Sequence, residues 1–225
     1  QLSAERIKRK FGPKLGADQD SLDQMTGVII RQTGDLRRIV DEFSKFARMP
    51  EPERRDQDLT QLVRDSVLLQ KTGRPDIKLI SDVPSEELPA LIDGTMITQA
   101  LTNLIKNAGE AIDTLKEEGA PEGLVPQVHV HMHADEKTAH ITIADNGVGL
   151  PEDRARLFEP YVTTRSEGTG LGLPIVKKII EEHGGSLTLT DAPVFEGQNH
   201  FGAMAVITLP LGTDKKTGNE EKIHG

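Results

Sequence analysis

The sequence predicts an α+β protein in which a helical first part precedes a second part built from alternating helices and strands. Over residues 21–49, apolar residues recur at spacings of three and four, which is the pattern of a long helix with one apolar face. Pro50 and Pro52 interrupt this pattern, and beyond them the helical period alternates with the two-residue period of strands. The predicted division is a helical segment over residues 1–49, a linker over 50–57, an α/β domain over 58–212 and a disordered tail over 213–225.

The long helix has the heptad spacing of a helix that packs against a partner helix. Its apolar positions are Leu22, Met25, Ile29, Leu36, Ile39, Phe43 and Phe46, with Gln32 at the one position that lacks an apolar residue. A repeat of about 3.5 residues over about four heptads favours a bundle or a coiled-coil dimer over a single amphipathic helix packed on its own domain. A shorter helix over residues 1–12, ended by Gly12-Pro13 and Gly16, precedes it.

The second part contains three predicted helices and five predicted strands. Asp58 and Asp93 are candidate N-caps of the first two helices, and Gly184-Gly185 ends the third. The predicted helices cover residues 59–70, 95 to about 115, and 171–183. The predicted strands cover residues 77–80, 128–132, 139–144, 186–190 and 203–209, and a hairpin turn at 135–137 joins the second strand to the third.

The composition excludes several classes of function. A net charge of -9 argues against general affinity for nucleic acid or anionic lipid, because neutralising phosphates needs clustered Lys and Arg. The absence of cysteine excludes disulfides and thiolate metal sites, and it fits a reducing compartment. No apolar run is long enough to cross a bilayer, and no signal-peptide pattern is present. The first residues are helix-like without a start signal, which suggests a fragment of a longer protein.

The run Asp-Asn-Gly-Val-Gly-Leu at residues 145–150 follows a predicted buried strand. The ionised carboxylate of Asp145 could accept a hydrogen bond from the exocyclic amine of adenine, a charge-assisted bond of about 1.5–3 kcal/mol. Gly147 and Gly149 lack a Cβ and would let the backbone approach a flat ring. Taken alone, the run is more often a hairpin turn, so the prediction depends on the motifs that accompany it.

Asn103 and Asn107 lie one helical turn apart on the predicted helix from residue 95, so their side chains share a face. An amide oxygen suits Mg²⁺, which takes few protein ligands besides water and phosphate oxygens. Lys106 adds a positive charge that could act on phosphate during catalysis. Asparagine is a mediocre helix former, and two at this spacing favour a functional role over a solvated polar face.

The run Gly-Thr-Gly-Leu-Gly-Leu at residues 168–173 begins the last predicted helix. Its backbone N–H groups, aided by the helix N-terminus, predict a phosphate-binding turn that needs no cationic side chain. The residues concerned are Gly168, Thr169, Gly170, Leu171 and Gly172. The spacing fits neither the G-x-G-x-x-G of dinucleotide-binding and protein-kinase loops nor a P-loop, which requires Gly-Lys-Ser/Thr.

The segment between the two glycine runs has few core residues and predicts a mobile lid. Phe158 would anchor this lid. Thr163 and Thr164 precede Arg165, whose guanidinium could reach the terminal phosphates of a nucleotide. The segment by itself is equally compatible with an ordinary surface loop.

The seven histidines offer one alternative site. His129, His131 and His133 share one face of a predicted strand and could bind zinc. Carboxylates that would orient them are not evident in the sequence, which favours a solvated face instead, with His140 across the hairpin on the same side. His183 lies at a helix C-terminus, where it suits the helix dipole. None of the seven is a credible phosphate acceptor.

Together these motifs resemble the N, G1, F and G2 boxes in the ATP-binding catalytic domain of sensor histidine kinases. The matching runs are NLIKNAGEA, DNGVGL, LFEPYVTTR and GTGLGL. The helix and linker before them resemble the second helix of that family's dimerisation and phosphotransfer domain. The similarity is strongest to NtrY-type nitrogen-regulation kinases and spans about residues 1–212.

The resemblance implies an α/β sandwich, with a mixed sheet covered by helices on one face and ATP bound between helices and lid. Asn107 would hold Mg²⁺ and Asp145 would bind adenine, while the five glycines of the G1 and G2 runs would shape the lid hinges. Such kinases transfer the γ-phosphoryl group of ATP to a histidine and then to an aspartate of a response regulator, here an NtrX-like one. The implied parent is a homodimer anchored in the inner membrane, of which this chain would be the C-terminal cytoplasmic part.

The chain departs from the family at one important point. The family's acceptor histidine lies in a His-Glu-x-x-Asn-Pro-like stretch, which does not occur here. We therefore expect a chain that binds Mg-ATP but does not phosphorylate itself. A non-catalytic dimerisation and docking module for a response regulator is an alternative. A chaperone- or topoisomerase-type ATPase is less favoured, because those enzymes use a glutamate base where this chain has Asn103, which cannot accept a proton from water.

Overall fold

The computed structural model describes residues 2–14, 16–162 and 168–212. The chain divides into two compact units, Gln1–Pro50 with Glu159–Leu171, and Glu51–Phe158 with Gly172–Gly225. The predictions for Thr163, Thr164 and Arg165, and for the tail over 213–225, lie outside the described residues.

The first unit contains a pair of helices, α1 (Leu2–Phe11) and α2 (Gln19–Ala47), linked by two short 3₁₀ turns. The helices pack against each other around the buried residues Ala4 and Thr26, and Lys8 forms an ion pair with Asp23 at 3.6 Å. The long helix predicted over residues 21–49 is present. Several of its apolar side chains are exposed, namely Met25, Val28, Ile29, Leu36, Val40 and Phe43.

The described residues of the second unit form three α-helices, a short 3₁₀ helix and seven strands. The helices are α3 (Leu59–Gly73), α4 (Gly94–Gly119) and α5 (Gly172–Glu182). The strands are β1 (Arg55–Asp58), β2 (Lys78–Asp82), β3 (Pro89–Ile92), β4 (Gln127–Ala134), β5 (Thr138–Asp145), β6 (Ser186–Asp191) and β7 (Ala203–Pro210). None of the helices in the described ranges combines the length and apolar character that a membrane span requires.

Five strands form one mixed sheet in the order β2-β4-β5-β7-β6. Only the β2–β4 pair is parallel, and the other neighbours are antiparallel. One face carries buried residues such as Val130, Ile141 and Ile207, and the helices of this unit pack on that face. The predicted mixed sheet with helices on one face is therefore confirmed. Buried and more exposed residues alternate along its strands because successive strand residues point to opposite faces of the sheet.

A separate two-stranded sheet, in which β1 and β3 pair antiparallel, was not predicted. β1 includes residues 55–57, which the sequence analysis assigned to the linker. Its four residues, Arg-Asp-Gln-Asp, are all polar, so they carry no apolar alternation that could reveal a strand. The backbone pairing of Arg55 with Ile92 and of Asp58 with Pro89 creates this strand.

The predicted N-caps Asp58 and Asp93 are confirmed by their hydrogen bonds, whereas α3 and α4 extend to Gly73 and Gly119, beyond the predicted ends at residue 70 and about residue 115. Asp58 Oδ1 accepts from the Thr60 N–H at 3.0 Å, and Asp93 Oδ1 accepts from the Thr95 and Met96 N–H groups. At the end of α5, Gly184 has φ +75°, a left-handed conformation that glycine adopts readily.

Candidate functional site

Asp145 is the last residue of β5 and is only 5% exposed. It pairs with Val128 of β4, so its side chain lies on the helix-covered face of the sheet. Asp145 Oδ1 accepts hydrogen bonds from the N–H groups of Gly147 at 2.8 Å and Ala203 at 3.2 Å. These bonds fix the orientation of the carboxylate.

The turn after Asp145 packs directly against α4. The Val148 N–H donates to the Ala111 carbonyl at 3.2 Å. A Cβ at Gly147 would lie 2.4 Å from the carbonyl carbon of Ala111, so only glycine fits there. Gly149 has φ +78°, which also favours glycine.

Asn146 holds the same turn from the other side and was not predicted to take part in the site. Its side chain is 1% exposed. Its Oδ1 accepts from the Gln127 N–H at 2.9 Å, and its Nδ2 donates to the Val125 carbonyl at 2.8 Å. Satisfying both groups of a buried amide makes the turn costly to displace.

The second motif lies on α4, one helical turn before Ala111. Asn103, Asn107 and Ala111 follow one another at four-residue spacing and share a helix face. A Cβ at Gly172, the first residue of α5, would lie 3.9 Å from both amide atoms of Asn107. The turn after Asp145 and the start of α5 thus meet α4 at positions about 6 Å apart along its axis.

Lys106 lies on a different part of the α4 surface from Asn107, because successive helix residues are rotated by about 100°. Its side chain is largely exposed and forms an ion pair with Glu110 at 3.6 Å. It lines a cavity of about 280 Å³ together with Arg74 and Ile77, which lie between α3 and β2, and with residues of α3, α4, β2 and β4. Its action on phosphate stays a prediction.

Phe158 ends a short 3₁₀ helix, Arg154–Phe158, in the second unit. The ammonium group of Lys177 on α5 lies 4.9 Å from the centre of its ring, an attractive cation–π distance. This contact fixes the chain where the predicted lid begins.

Within the first unit, Tyr161 of the predicted lid contacts Gly170 of the second glycine run. The Tyr161 N–H donates to the Gly170 carbonyl at 3.1 Å. Gly170 has φ +67°, and a Cβ there would lie 2.6 Å from the carbonyl carbon of Tyr161. Gly170 is therefore required for this close approach. The nucleotide contacts assigned to Gly168, Thr169, Gly170 and Leu171 stay predictions.

Two further residues next to Asp145 were missed by sequence reasoning. A Cβ at Gly202 would lie 2.4 Å from Asp145 Oδ1, and His200 Nε2 lies 2.8 Å from the Gly147 carbonyl oxygen. The only sequence signal was a glycine immediately before the last strand. A glycine at this position does not by itself indicate that the chain packs against Asp145.

The histidines of β4 lie on the sheet face opposite the helices. His131 Nδ1 lies 2.9 Å from Asp82 Oδ2, and the ring of His133 stacks on that of His140 at 4.8 Å. His140 therefore lies on the same face, as predicted. Burial and the nearby Lys78 ammonium lower the pKa of His129 below its usual value, because both disfavour the imidazolium form. In the described part of the chain, no group of three His, Cys, Asp or Glu side chains is arranged to hold a metal ion.

His183 forms hydrogen bonds in addition to the predicted interaction with the helix dipole. It is buried, with its Nδ1 2.7 Å from the Ile179 carbonyl and its Nε2 3.0 Å from the Asp93 N–H. Because the backbone N–H must donate to Nε2, the ring is neutral with its proton on Nδ1. It thus joins the end of α5 to the N-cap of α4.

Comparisons with known proteins agree with this geometry. The family described as histidine kinase-, DNA gyrase B-, and HSP90-like ATPase matches residues 92–213, more than half of the chain. The nitrogen regulation protein NtrY of Azorhizobium caulinodans is 50% identical over 198 residues, which are 88% of this chain and 25% of that protein. A putative NtrY-like sensor histidine kinase of Rickettsia bellii is 35% identical over 191 residues, 84% of this chain and 30% of that protein.

Among solved structures, the catalytic domain of the histidine kinase ThkA covers 71% of this chain and 96% of its own, with 26% identity and a TM-score of 0.57. The chain spans only about a quarter to a third of the length of the two curated relatives. The resemblance inferred from the four motifs is confirmed. The chain therefore belongs to the family of histidine kinase-, DNA gyrase B- and HSP90-like ATPases, and its ATP-binding catalytic region is of the sensor histidine kinase type.

Proposed function

We propose that the second unit binds Mg-ATP and serves as the catalytic region of an NtrY-like sensor histidine kinase. The parent kinase would transfer the γ-phosphoryl group of ATP to a histidine outside this sequence and then to an aspartate of an NtrX-like response regulator. One observation carries the proposal. The turn after Asp145 and the first residue of α5 both pack on the face of α4 that carries Asn107.

In this proposal Asp145 selects the base. The bonds from Gly147 and Ala203 hold Oδ1 in place, and the carboxylate would accept a hydrogen bond from the adenine amine. Burial strengthens such a bond, because water competes less for the carboxylate. Guanine has a carbonyl oxygen at the corresponding position, which a carboxylate repels.

The donor chemistry beside Asn107 fits Mg²⁺. Its neutral amide oxygen is a hard ligand, and Gly172 has no side chain to fill the space beside that amide. Asn107 would hold the ion, with Asn103 on the same helix face toward the nucleotide. When bound with ATP, Mg²⁺ supplies neutralisation of phosphate charge. Lys106 would add to this neutralisation from the α4 surface.

The site lacks the base that hydrolysis would need at the position of Asn103. An amide cannot accept a proton from water, so phosphoryl transfer to a protein side chain is favoured over ATP turnover. A domain of this kind contributes position and electrostatics rather than a covalent intermediate. We further propose that the parent is a homodimer whose catalytic part lies on the cytoplasmic side of a membrane.

Calorimetric titration with the ATP analogue AMP-PNP, with Mg²⁺ and with EDTA, tests the proposal. Asp145→Ala should weaken binding about ten- to a hundredfold, the equivalent of one charge-assisted hydrogen bond. Asn107→Ala should remove most of the difference between the AMP-PNP affinity measured with Mg²⁺ and that measured with EDTA. The control is Asp65→Ala on the exposed side of α3, which should bind as the wild type does. Unchanged binding by folded Asp145→Ala would contradict the proposal, and rapid steady-state hydrolysis of ATP would favour an ATPase.

A further inference from the structure

The loop between β6 and β7, residues 192–202, lies against the turn that follows Asp145. We call residues 192–202 the β6–β7 loop. Within it, Phe195 is buried in a small cluster with Ala144 and Ala192, on the sheet face opposite the helices. The Phe195 ring also stacks on His129 at 3.8 Å with an interplanar angle of 1°. These contacts fix the loop to the sheet directly beside the last residue of β5.

The two ends of the loop are also joined to each other. The Ala192 N–H donates to the Gly202 carbonyl at 3.0 Å. The end of the loop then passes so close to Asp145 that a Cβ at Gly202 would lie 2.4 Å from Oδ1 and 2.5 Å from the Asp145 carbonyl oxygen. The next residue, Ala203, donates its N–H to the same Oδ1. The carboxylate position therefore depends on the path of this loop.

His200 makes the second contact with the turn. Its Nε2 lies 2.8 Å from the Gly147 carbonyl oxygen, and because a carbonyl only accepts, Nε2 must carry the proton. On the other side of the turn, the Val148 N–H binds the Ala111 carbonyl of α4. The peptide between Gly147 and Val148 is thus held by the loop at its oxygen and by α4 at its nitrogen.

A third contact runs through Gln198. Its Oε1 accepts from the Val125 N–H at 3.2 Å, and the Val125 carbonyl accepts from Asn146 Nδ2. Asn146 is the residue between Asp145 and Gly147. Asp145, Asn146 and Gly147 are therefore each connected to the β6–β7 loop, directly or through one intermediate residue.

We propose that the β6–β7 loop is a clamp that positions the base-binding carboxylate, and that His200 is the positioning residue through which it holds the turn. The inference rests on the proposed function, since it assumes that Asp145 binds adenine. A carboxylate held at one place can accept from an adenine amine and repel a guanine carbonyl. A carboxylate that moves loses part of this discrimination.

The test compares His200→Leu, which removes the donor, with His200→Gln, whose Nε2 amide can donate from a similar position. His133→Leu, an exposed histidine on the sheet face opposite the helices, is the matched control. Calorimetry measures the affinities of AMP-PNP and GMP-PNP with Mg²⁺. We expect His200→Leu to lose about three- to tenfold in affinity for AMP-PNP with little change in affinity for GMP-PNP. The ratio of the AMP-PNP affinity to the GMP-PNP affinity should therefore fall. His200→Gln should restore most of the ratio, and His133→Leu should leave it unchanged.

Hydrogen exchange of residues 146–148 in the nucleotide-free chain provides a second measurement that does not depend on the ligand. Exchange should be faster in His200→Leu and near wild type in His200→Gln. Unchanged exchange in His200→Leu, or an equal loss of affinity for both analogues, would overturn the inference while leaving the proposed function intact. If the wild type bound no AMP-PNP, both the proposed function and the role of the loop in base selectivity would fail. Faster hydrogen exchange in His200→Leu would in that case still show that His200 holds the turn in place.

Discussion

One oxygen atom, Oδ1 of Asp145, accepts backbone hydrogen bonds from both sides of the candidate base site. One bond comes from the turn that follows it and the other from the start of β7. Two glycines, Gly147 and Gly202, make this possible, because a Cβ at either position would overlap neighbouring atoms. The position of this proposed base-binding carboxylate is therefore set by the absence of a Cβ at two neighbouring positions as well as by its hydrogen bonds.

At the same scale, His129 gives a prediction about pH. Burial and Lys78 hold its pKa below the ordinary value of 6.5, so below that pH the unfolded chain binds a proton more readily than the folded chain does. Stability contributed by neutral His129 is present above pH 6.5 and is lost as the pH falls through the lowered folded pKa. In urea unfolding, the wild type should therefore have a lower free energy of unfolding at pH 5.5 than at pH 7.5. The difference between the two pH values should be smaller in His129→Leu.

His133→Leu, on the exposed face of the same strand, is the control and should retain the wild-type difference between the two pH values. An identical loss of stability in His129→Leu and the wild type would show that the titration of His129 is not coupled to folding.

At the scale of elements, α4 organises the site. Its central face receives the turn after Asp145 at Ala111 and the start of α5 beside Asn107. Its N-terminus is capped by Asp93, whose Oδ2 also accepts from the Glu53 N–H at 3.0 Å. The chain segment that enters the second unit is thus bonded to the helix that carries Asn107. Arg54 extends this link by donating to the Glu182 carbonyl at the end of α5.

His183→Leu tests how strongly the ends of α4 and α5 are joined. The substitution leaves the partly buried Asp93 N–H without its acceptor, which should lower the free energy of unfolding by about 1–3 kcal/mol. Urea denaturation followed by circular dichroism measures this change. The comparison is again His133→Leu, which should stay within about 0.5 kcal/mol of the wild type. Equal midpoints for His183→Leu and the wild type would disprove the structural importance of this link.

At the scale of the whole molecule, α2 presents exposed apolar side chains at heptad spacing, with Met25 62% exposed and Leu36 62% exposed. Exposure of this kind along one helix marks a surface that another helix would cover. It agrees with the sequence pattern, and it supports the proposed homodimer.

We expect light scattering to give about twice the 24.6 kDa mass of one chain. A double substitution, Met25→Lys with Leu36→Lys, should shift the mass to that of one chain, because two buried charges per helix would oppose association. Lysine at the polar positions Ser21 and Gln24 should leave the mass unchanged. A wild-type mass of one chain at micromolar concentration would exclude a stable dimer of these 225 residues.

The sequence by itself determined the helices, their Asp caps and the strands of the main sheet. These features depend on local apolar spacing and on hydrogen bonds that span only two or three residues. It also indicated Asp145, Asn107 and the glycine runs as candidate site residues, because their chemistry is contained in short motifs. The strand β1 escaped prediction for the converse reason, since an all-polar tetrapeptide becomes a strand only through its partner.

Only the tertiary structure decided which segments meet at those motifs. His200 reaches Gly147 across 53 residues and Ala203 reaches Asp145 across 58, and nothing in either local sequence specifies its partner. The same holds for Lys106, because its neighbours in the cavity of about 280 Å³ depend on how α3 packs against α4. Helices and turns follow from interactions between near neighbours, whereas the position of the Asp145 carboxylate follows from the packing of the β6–β7 loop and α4 on either side of it.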